Sequence, residues 1–518
     1  MIRSFLTVST GTLASRLLGF LRDAMIAALL GAGPVADAFL AAFQLVNVIR
    51  RLLSEGALNA TLVPAWLQAS ETRGPTAAAT FAGRVLGTVS AALIVVAALL
   101  GLAMPFVIKV IAPGFARHET LELAVNYARL MLPYLAFAGP VTVMMGLLNA
   151  QGRFTLTAFS PLLFNVALIV VMIALLGRRQ DGAHAALVIA ATVGIAGLLQ
   201  LVMLALRRGA DAATPLRVSF DAQMRQFLGS ALPGMIASAG PQLLIITGAV
   251  VASSSPSAVS WLYYANRLIE LPLGIVGVAM GTVLVPELTR ALRSGDKSAM
   301  CNAESRGLEL AIGLALPATL GLIALNEPIV RMLFERGLFT SADSEGTAQA
   351  LTCLAFGLPA YVLVKSLSPA FFARHDTITP LKAALQAIVV TIVAAFLLSH
   401  WFGASGIAGG IALGAWSNAL VLIRKGASSF GFSIDAAARR RLPRIALAAI
   451  AMGGLLSVAA QSALAQGAGH RLLQALFLFT AIGGAIVAYG LLLNWFGVIG
   501  WREAIRALRR RPPGDLRT

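Results

Sequence analysis

Long apolar runs recur from one end of the chain to the other, and polar residues gather in the short connectors between them. A membrane-spanning helix needs about 20 mostly apolar residues, whereas a transmembrane β-barrel shows segments of about 10 residues with alternating polarity. The pattern therefore predicts an all-α polytopic membrane protein with about fourteen transmembrane helices. The predicted spans are 12–31, 36–66, 80–111, 121–149, 156–177, 184–206, 222–252, 257–289, 305–327, 345–373, 379–399, 404–423, 443–465 and 471–497.

The composition fits a membrane protein. The chain has 518 residues, of which 58% are hydrophobic and 12% are charged, against about 25% charged residues in soluble domains. The net charge is +18, but the basic residues are scattered over short connectors and span ends, so we expect no nucleic-acid partner. Cys301 and Cys353 do not make a disulfide framework. We find no catalytic motif, and the five histidines lie apart, so we expect no enzyme, no metal site and no cofactor.

Lysine and arginine in the connectors indicate the orientation. If the N-terminus is cytoplasmic, the inner connectors and the basic tail carry far more of these residues than the outer connectors do. Positive charge is enriched on the cytoplasmic side of membrane proteins. The sequence therefore predicts a multi-pass protein in contact with membrane lipids, with both termini in the cytoplasm and a first span that is retained.

Landmarks recur at a fixed offset along the chain. Pro34 corresponds to Pro256 in the first outer turn of each half, and Pro64 corresponds to Pro286. An even number of helices per repeat keeps both copies in one orientation, which is an architecture of transporters. We predict a six-helix lobe at 1–216, a second six-helix lobe at 217–428, and two further helices with a basic tail at 429–518.

Arginines stand inside the apolar runs. An arginine at the bilayer centre costs at least about 2.5–3.5 kcal/mol, so such residues usually face a wet interior. A guanidinium offers a planar fork to two oxygens of a phosphate, and this favours an anionic ligand. Arginine near a span end can also extend to the headgroups, which is an equal alternative for one of them, Arg16. The candidate cavity residues are Arg16, Arg22, Arg50 and Arg267.

Further charged residues are candidates for a supporting or gating role, because a carboxylate can hold an arginine in place. Arg50 and Arg51 are adjacent and point about 100° apart on a helix, so one of them is expected to face the cavity. The supporting set is Asp23, Asp37, Arg51, Glu55 and Glu270.

The strings SRLLGFLRDAMIAALLGAGPVADAFLAAFQLVNVIRRLLSEGA and WLYYANRLIELPLGIVGVAMGTVLVPEL carry a resemblance, together with LVP and APGF. Over nearly the whole chain the sequence resembles the lipid II flippases (the MurJ/MviN family) of the multidrug/oligosaccharidyl-lipid/polysaccharide exporter superfamily. The resemblance implies two six-helix lobes and two extra helices lining an apolar groove. It also implies transfer of lipid II, a polyprenyl-diphosphate-linked peptidoglycan precursor, to the outer leaflet of the bacterial inner membrane.

By resemblance, the four candidate arginines match the cavity arginines of the family, and Asp37 matches a required acidic residue. Three positions depart from the family pattern, and they leave ion coupling open: Gln44, Val46 and Asn266. The resemblance implies alternating access, a role in cell-wall synthesis and cell shape, and contact with the cell-wall machinery.

Two alternatives stand beside this hypothesis. One is a flippase or exporter for another polyprenyl-linked oligosaccharide or for drugs, although a drug exporter would carry more acidic cavity residues. The other is a membrane-embedded enzyme acting on polyprenyl phosphates, which would need an acid, histidine or serine cluster at the membrane surface, and we find none in the sequence.

Overall fold

All regular elements in the described part of the chain are helical, as the apolar pattern predicts. The computed structural model describes residues 2–54, 57–117, 119–177, 181–206, 216–237, 240–280, 287, 290, 297–372, 374, 376–465 and 471–498. Among these residues, eight helices are long and apolar enough to cross a membrane, or nine if one bent pair is counted as a single span. The figure of about fourteen spans stays a prediction.

The chain divides into two compact units. Unit 1 contains Met1–Tyr264, Phe334–Ser344 and Ala395–Ile407, and unit 2 contains Ala265–Leu333, Glu345–Ala394 and Ala408–Thr518. The helices up to residue 279 are α1 (Ile2–Leu30), α2 (Pro34–Ser54), α3 (Ala57–Arg73), α4 (Pro75–Ile111), α5 (Thr120–Met131), α6 (Pro133–Ala150), α7 (Phe154–Leu176), α8 (Gly182–Leu206), α9 (Ala222–Ala237), α10 (Gly240–Ala252) and α11 (Ala258–Ala279).

The later helices include one of 53 residues. They are α12 (Lys297–Ala324), α13 (Asn326–Phe334), α14 (Ser341–Ala355), α15 (Leu358–Phe372), α16 (Ile378–Phe430), α17 (Ala436–Ala465) and α18 (Arg471–Trp495). Within α16, Gly403 has φ 54° and ψ −132°, so the helix is kinked in the connector predicted between two spans. Trp401 and Phe402 are largely exposed beside this kink, which is typical of aromatic side chains at a membrane interface.

The predicted span 121–149 agrees with one candidate span, Thr120–Ala150, in which Leu132 separates α5 from α6 just before Pro133. The predicted span 345–373 is divided between α14 and α15, which are bent by 42°. The helix α13 falls in a stretch predicted as a polar connector, and its polar residues share the helix with buried Val330 and Phe334.

Helix boundaries recur at the offset found in the sequence. α6 ends at Ala150 and α15 ends at Phe372, which are separated by the same interval as Pro34 and Pro256. The α5–α6 break at Leu132 and the α14–α15 break after Ala355 depart only slightly from this spacing. Helices thus end or are interrupted at nearly equivalent positions of the two repeat copies. The division into lobes stays a prediction.

Unit 1 has a tightly packed interior. α1 packs along α7, α2 along α5, and α6 along α8. The α6–α8 contact is close because Gly197 leaves room for Tyr134; a Cβ at that glycine would lie 2.9 Å from the tyrosine ring. Phe39 and Phe43 are stacked and fully buried on α2. These helices form the rigid surroundings of the charged residues on α1 and α2.

In unit 2, α12 packs against α15 and α17, and α17 packs against α18. One buried cluster joins Leu308, Ala360, Leu363, Ala415 and Ala419. The outward faces of the last helices are strongly apolar, with Leu455, Val458 and Phe479 exposed. Exposed apolar surface of this extent is expected where the surrounding medium is lipid.

Two connectors share the pattern Ser-x-Asp-Ala. The carboxylate of Asp221 accepts the N–H of Met224 (2.8 Å), and the carboxylate of Asp435 accepts the N–H of Ala438 (2.6 Å). Each aspartate therefore caps the helix that follows it, α9 or α17. The Thr88 hydroxyl on α4 bonds to both the N–H and the carbonyl of Ser219. These bonds hold the first of the two connectors against α4.

Candidate functional site

The central residue of the candidate site in unit 1 is Arg22 on α1. Its side chain is buried, and Nε and Nη2 donate to Asp23 Oδ1 at 2.9 and 2.7 Å. Asp23 is fully buried. A buried charge is tolerated when it is paired and hydrogen-bonded, so the two neighbours stabilise each other. The predicted supporting role of Asp23 agrees with this contact.

Asn165 on α7 supplies a third contact to the Arg22 guanidinium. Its Oδ1 accepts from Arg22 Nη1 at 2.9 Å, while its Nδ2 donates to the carbonyls of Ser15 and Pro161 at 3.2 and 3.3 Å. Those two carbonyls fix which way the amide points. Three of the five guanidinium N–H groups are thus engaged. Asn165 thus joins α7 to α1 and contacts a candidate cavity arginine.

Aromatic rings complete the surroundings of Arg22. The guanidinium carbon lies 5.0 Å from the centre of the Phe43 ring and 5.9 Å from that of Phe164. Attraction between a cation and a ring within about 6 Å is strengthened by desolvation. Arg22 is therefore held by neighbours on several sides in this structure, and its role in a cavity stays a prediction.

Asp37 on α2 does not hold an arginine among the contacts observed; its partner is the start of α11. The buried carboxylate accepts the backbone N–H of Ser260 at 2.8 Å and also the Ser260 hydroxyl. An acidic side chain at a helix N-terminus satisfies unpaired N–H groups and interacts favourably with the helix dipole. Asp37 is thus a capping residue supplied by another helix.

Two further side chains tie the first turns of α11 to unit 1. The Tyr263 hydroxyl donates to Asp23 Oδ1 at 3.2 Å, and Trp261 Nε1 donates to Asp343 Oδ1 at 3.3 Å. Asp343 in turn accepts the N–H and hydroxyl of Thr340. Sequence reasoning missed Ser260, Trp261 and Tyr263 as partners, although all three lie in or next to the string that carries the resemblance.

The other arginines of α1 and α2 are less enclosed. Arg16 is exposed. Arg50 is half-buried, and its Nε donates to Asn47 Oδ1 at 3.3 Å. Arg51 is half-buried as well, and Glu55 lies outside the described residues, so their supporting roles stay predictions. Arg50 combines partial burial with a single long hydrogen bond among those identified, which makes it the arginine most able to exchange partners.

Arg267 lies in unit 2, together with its predicted partner. Its Nη1 donates to Glu270 Oε2 at 2.8 Å, one turn along α11, and both side chains are partly buried. The predicted role of Glu270 in holding an arginine agrees with this contact. Lys365 on α15 reaches α11 near Gly277, where a Cβ would lie 3.4 Å from the ammonium nitrogen.

The described residues contain no group of three or more histidine, cysteine or acidic side chains placed to hold a metal ion. Arg22 and Arg267 are each brought together with a carboxylate, Asp23 or Glu270. A guanidinium has five N–H donors, and three of those of Arg22 are engaged. The surroundings of Arg22 are therefore suited to anion binding.

Comparisons with known proteins agree with one another. The family model described as "Lipid II flippase MurJ" matches residues 26–478. A probable lipid II flippase MurJ of Rhizobium meliloti is 38% identical over 463 residues, covering 89% of this chain and 86% of that protein. One from Rhizobium tropici is 35% identical over 464 residues, covering 88% and 86%.

Among solved structures, a lipid II flippase MurJ in an inward closed conformation matches with a TM-score of 0.76 at 22% identity. The match covers 98% of this chain and 100% of that one. At this level of identity the similarity concerns the fold.

Proposed function

Because this chain belongs to the lipid II flippase MurJ family, we propose that it carries lipid II across the membrane in which its helices lie. It is a transporter rather than an enzyme. The observation that carries the proposal is the buried guanidinium of Arg22, held inside a helical unit by Asp23 and Asn165 with donors to spare. A site of this kind can bind an anionic group without making or breaking a covalent bond.

The proposed ligand contact is the diphosphate of lipid II. Arg50 binds first, because exchanging its long bond to Asn47 for a charged oxygen gains a stronger hydrogen bond. Arg22 then shares its donors between Asp23, Asn165 and the diphosphate. The role of Arg267 in binding the ligand stays a prediction. Arg16, which is exposed, meets the ligand or the headgroups at the end of the cavity.

The proposal also includes an architecture and a location. Two six-helix lobes, 1–216 and 217–428, exchange inward- and outward-open states in the bacterial inner membrane, with the termini in the cytoplasm and residues 429–518 forming two added helices. The cycle uses no cofactor and serves cell-wall synthesis beside the enzymes that consume lipid II. A membrane potential or an ion gradient drives the net transport of lipid II in one direction.

The test follows lipid II translocation in vesicles that contain the purified protein alone, with and without a membrane potential. Arg50→Gln removes an arginine that is half-buried and makes one long hydrogen bond among those identified. We expect lipid II translocation to be at least tenfold slower than in the parent protein, since a hydrogen bond to a charged group contributes about 1.5–3 kcal/mol. The melting temperature should stay that of the parent protein.

Arg331→Gln is the matched control, because Arg331 also pairs with a carboxylate, that of Glu327, while its side chain is 43% exposed. Its translocation should equal that of the parent. If Arg50→Gln and Arg22→Lys both translocate normally, the diphosphate is bound elsewhere. If another polyprenyl-linked sugar outcompetes lipid II in this assay, the proposed substrate is wrong but the proposed transport mechanism stands.

A further inference from the structure

Lys365 is a charged residue inside an apolar span of unit 2, and the contacts proposed for the diphosphate give it no role. It lies in the middle of α15, in the sequence AYVLVKSLSP. Its side chain is exposed, while the residues beside it on α15 are buried, namely Val362, Leu363, Ser366 and Leu367. A charged side chain within a span usually faces a wet interior and marks the path of a substrate or an ion. Lys365 therefore has the features of a residue on a substrate path.

The ammonium group of Lys365 lies against α11. Seven residues, or about 10 Å of helix, separate Lys365 from Phe372, the end of α15 that the basic residues assign to the cytoplasm. Side chains on a helix tilt toward its N-terminus, and for α15 this direction leads into the membrane. The ammonium nitrogen is 3.4 Å from the place where a Cβ of Gly277 would be. This position differs from that of a lysine extended to the headgroups.

The face of α11 that meets Lys365 also carries the Arg267–Glu270 pair. Glu270 and Gly277 are seven residues apart, which is about two helical turns, so they lie on the same face about 10 Å from each other. The Glu270 carboxylate accepts from Arg267 Nη1 at 2.8 Å. Since Gly277 has no side chain, the ammonium of Lys365 fits on this face. We call these four residues of unit 2 the α11 strip: Arg267, Glu270, Gly277 and Lys365.

The order of the cations along the α11 strip suits an anion that arrives from the cytoplasm. Arg267 is ten residues before Gly277, so about 15 Å separate them along α11, and Lys365 is the cation nearer the predicted cytoplasmic end. On the proposed path, lipid II starts in the inner leaflet with its diphosphate at the level of the headgroups. A diphosphate that moves from there along the α11 strip meets Lys365 before Arg267.

We propose that Lys365 is a substrate-binding residue that holds the diphosphate of lipid II in the state open to the cytoplasm. The inference rests on the proposed function and adds to it a contact in unit 2. Lysine carries three donors and a compact charge on a flexible stem, so its ammonium can follow a phosphate oxygen over a short distance. Hydrogen bonds between two charged groups are stronger than those between neutral groups.

The first test removes the charge and keeps the length of the side chain. Lys365→Met changes an exposed position, so the melting temperature should stay that of the parent. Translocation is followed in vesicles while the lipid II content of their membrane is varied. We expect the content at half-maximal rate to rise about tenfold, which corresponds to ~1.4 kcal/mol, with the maximal rate unchanged. Lys365→Arg keeps the charge and should keep the parent value.

Lys382→Met is the matched control. Lys382 is exposed near the start of α16, on the side of unit 2 that is predicted to be cytoplasmic. Both variants lose one lysine charge on that side, so a general effect on insertion or on headgroup binding would appear in both. Only Lys365→Met should raise the lipid II content at half-maximal rate. Equal values for the two variants and the parent would overturn the proposal.

A second measurement requires no translocation. Farnesyl diphosphate carries a diphosphate on a short polyprenyl chain and has neither sugar nor peptide. Its binding is measured in detergent as a rise of the melting temperature, because a ligand that binds the folded state stabilises it. The concentration for half of the maximal rise should be about tenfold higher for Lys365→Met than for the parent and Lys382→Met. If only the lipid II value changes, Lys365 binds another anionic group, such as a peptide carboxylate, and the diphosphate assignment is wrong.

The two assays also separate this contact from the function. If the parent protein fails to move lipid II while the binding of farnesyl diphosphate depends on Lys365, the proposed function is wrong and the contact stands. If the parent moves lipid II and Lys365→Met equals it in both assays, the function stands and Lys365 does not bind the substrate.

Discussion

The outer and cytoplasmic ends predicted for this protein are joined by different kinds of contact. At the outer end, helix termini meet distant turns through backbone groups at Gly31, Gly114 and Gly337. At the cytoplasmic end, connectors are additionally held by arginine side chains, as in Arg84 with Asp221 and Arg374 with Glu304. Arginine is enriched on the cytoplasmic side of membrane proteins. The contacts at the cytoplasmic end therefore use the arginine side chains that are enriched on that side.

The largest effect expected at the cytoplasmic end follows the loss of Arg374. Its guanidinium pairs with buried Glu304, donates to the Ala370 carbonyl at 2.7 Å and lies 3.8 Å from the centre of the Phe430 ring. Arg374→Ala leaves Glu304 buried without a partner, which costs about 3–5 kcal/mol. Thermal unfolding in detergent should show a lower melting temperature.

A double variant sharpens this expectation. Arg374→Ala combined with Glu304→Gln removes the unpaired charge and should recover a large part of the lost stability. If the single and double variants melt at the same temperature, the ion pair is not what fastens this end of unit 2.

An intermediate effect is expected from Asp37 at the other end. Asp37→Ala leaves the N–H and hydroxyl of Ser260 without their acceptor, which costs about 1–3 kcal/mol. Asp37→Asn keeps an acceptor oxygen and should cost less. Melting temperatures of the two variants give the comparison, and equal losses would assign the effect to charge rather than to capping.

The smallest effect concerns Asp221. The N–H of Met224, and then Arg84, hold the pKa of Asp221 below its usual value of 3.8. A lowered pKa in the folded state contributes stability above the unfolded pKa, and this contribution is lost as the pH falls through the folded pKa. Because the pair is partly exposed, Asp221→Asn should lower stability by no more than about 1 kcal/mol.

The measurement for Asp221→Asn is the melting temperature as a function of pH. The difference from the parent should be constant from neutral pH down to about pH 4 and should disappear as the pH falls further, through the lowered folded pKa of Asp221. A difference that does not shrink in this acidic range would mean that the carboxylate charge plays no part in fastening the connector.

The sequence predicts much of the fold because apolar length is a strong signal. The predicted end of the span 80–111 agrees with the end of α4, and the repeat offset reappears in the helix boundaries. The bend between α14 and α15 was missed, since a hydropathy average does not register a change of helix direction. The helix α13 was missed because its polar residues resemble a connector.

The site was predicted less completely than the fold. Arginine and aspartate inside apolar runs stand out in the sequence, and the pairs Arg22–Asp23 and Arg267–Glu270 are local enough to anticipate. The partner of Asp37 lies 223 residues away. No local pattern specifies such a contact, because it arises only when helices from distant parts of the chain pack together.

The capping of α11 by Asp37 has a consequence for water. The first turn of α11 relies on a carboxylate carried by α2, so this turn cannot stay dry if the two helices move apart. Three polar groups, the Asp37 carboxylate and the amide and hydroxyl of Ser260, would have to be hydrated at the same moment. Water from the exterior should therefore reach the first turn of α11 before a bulky substrate can leave past α2 and α11.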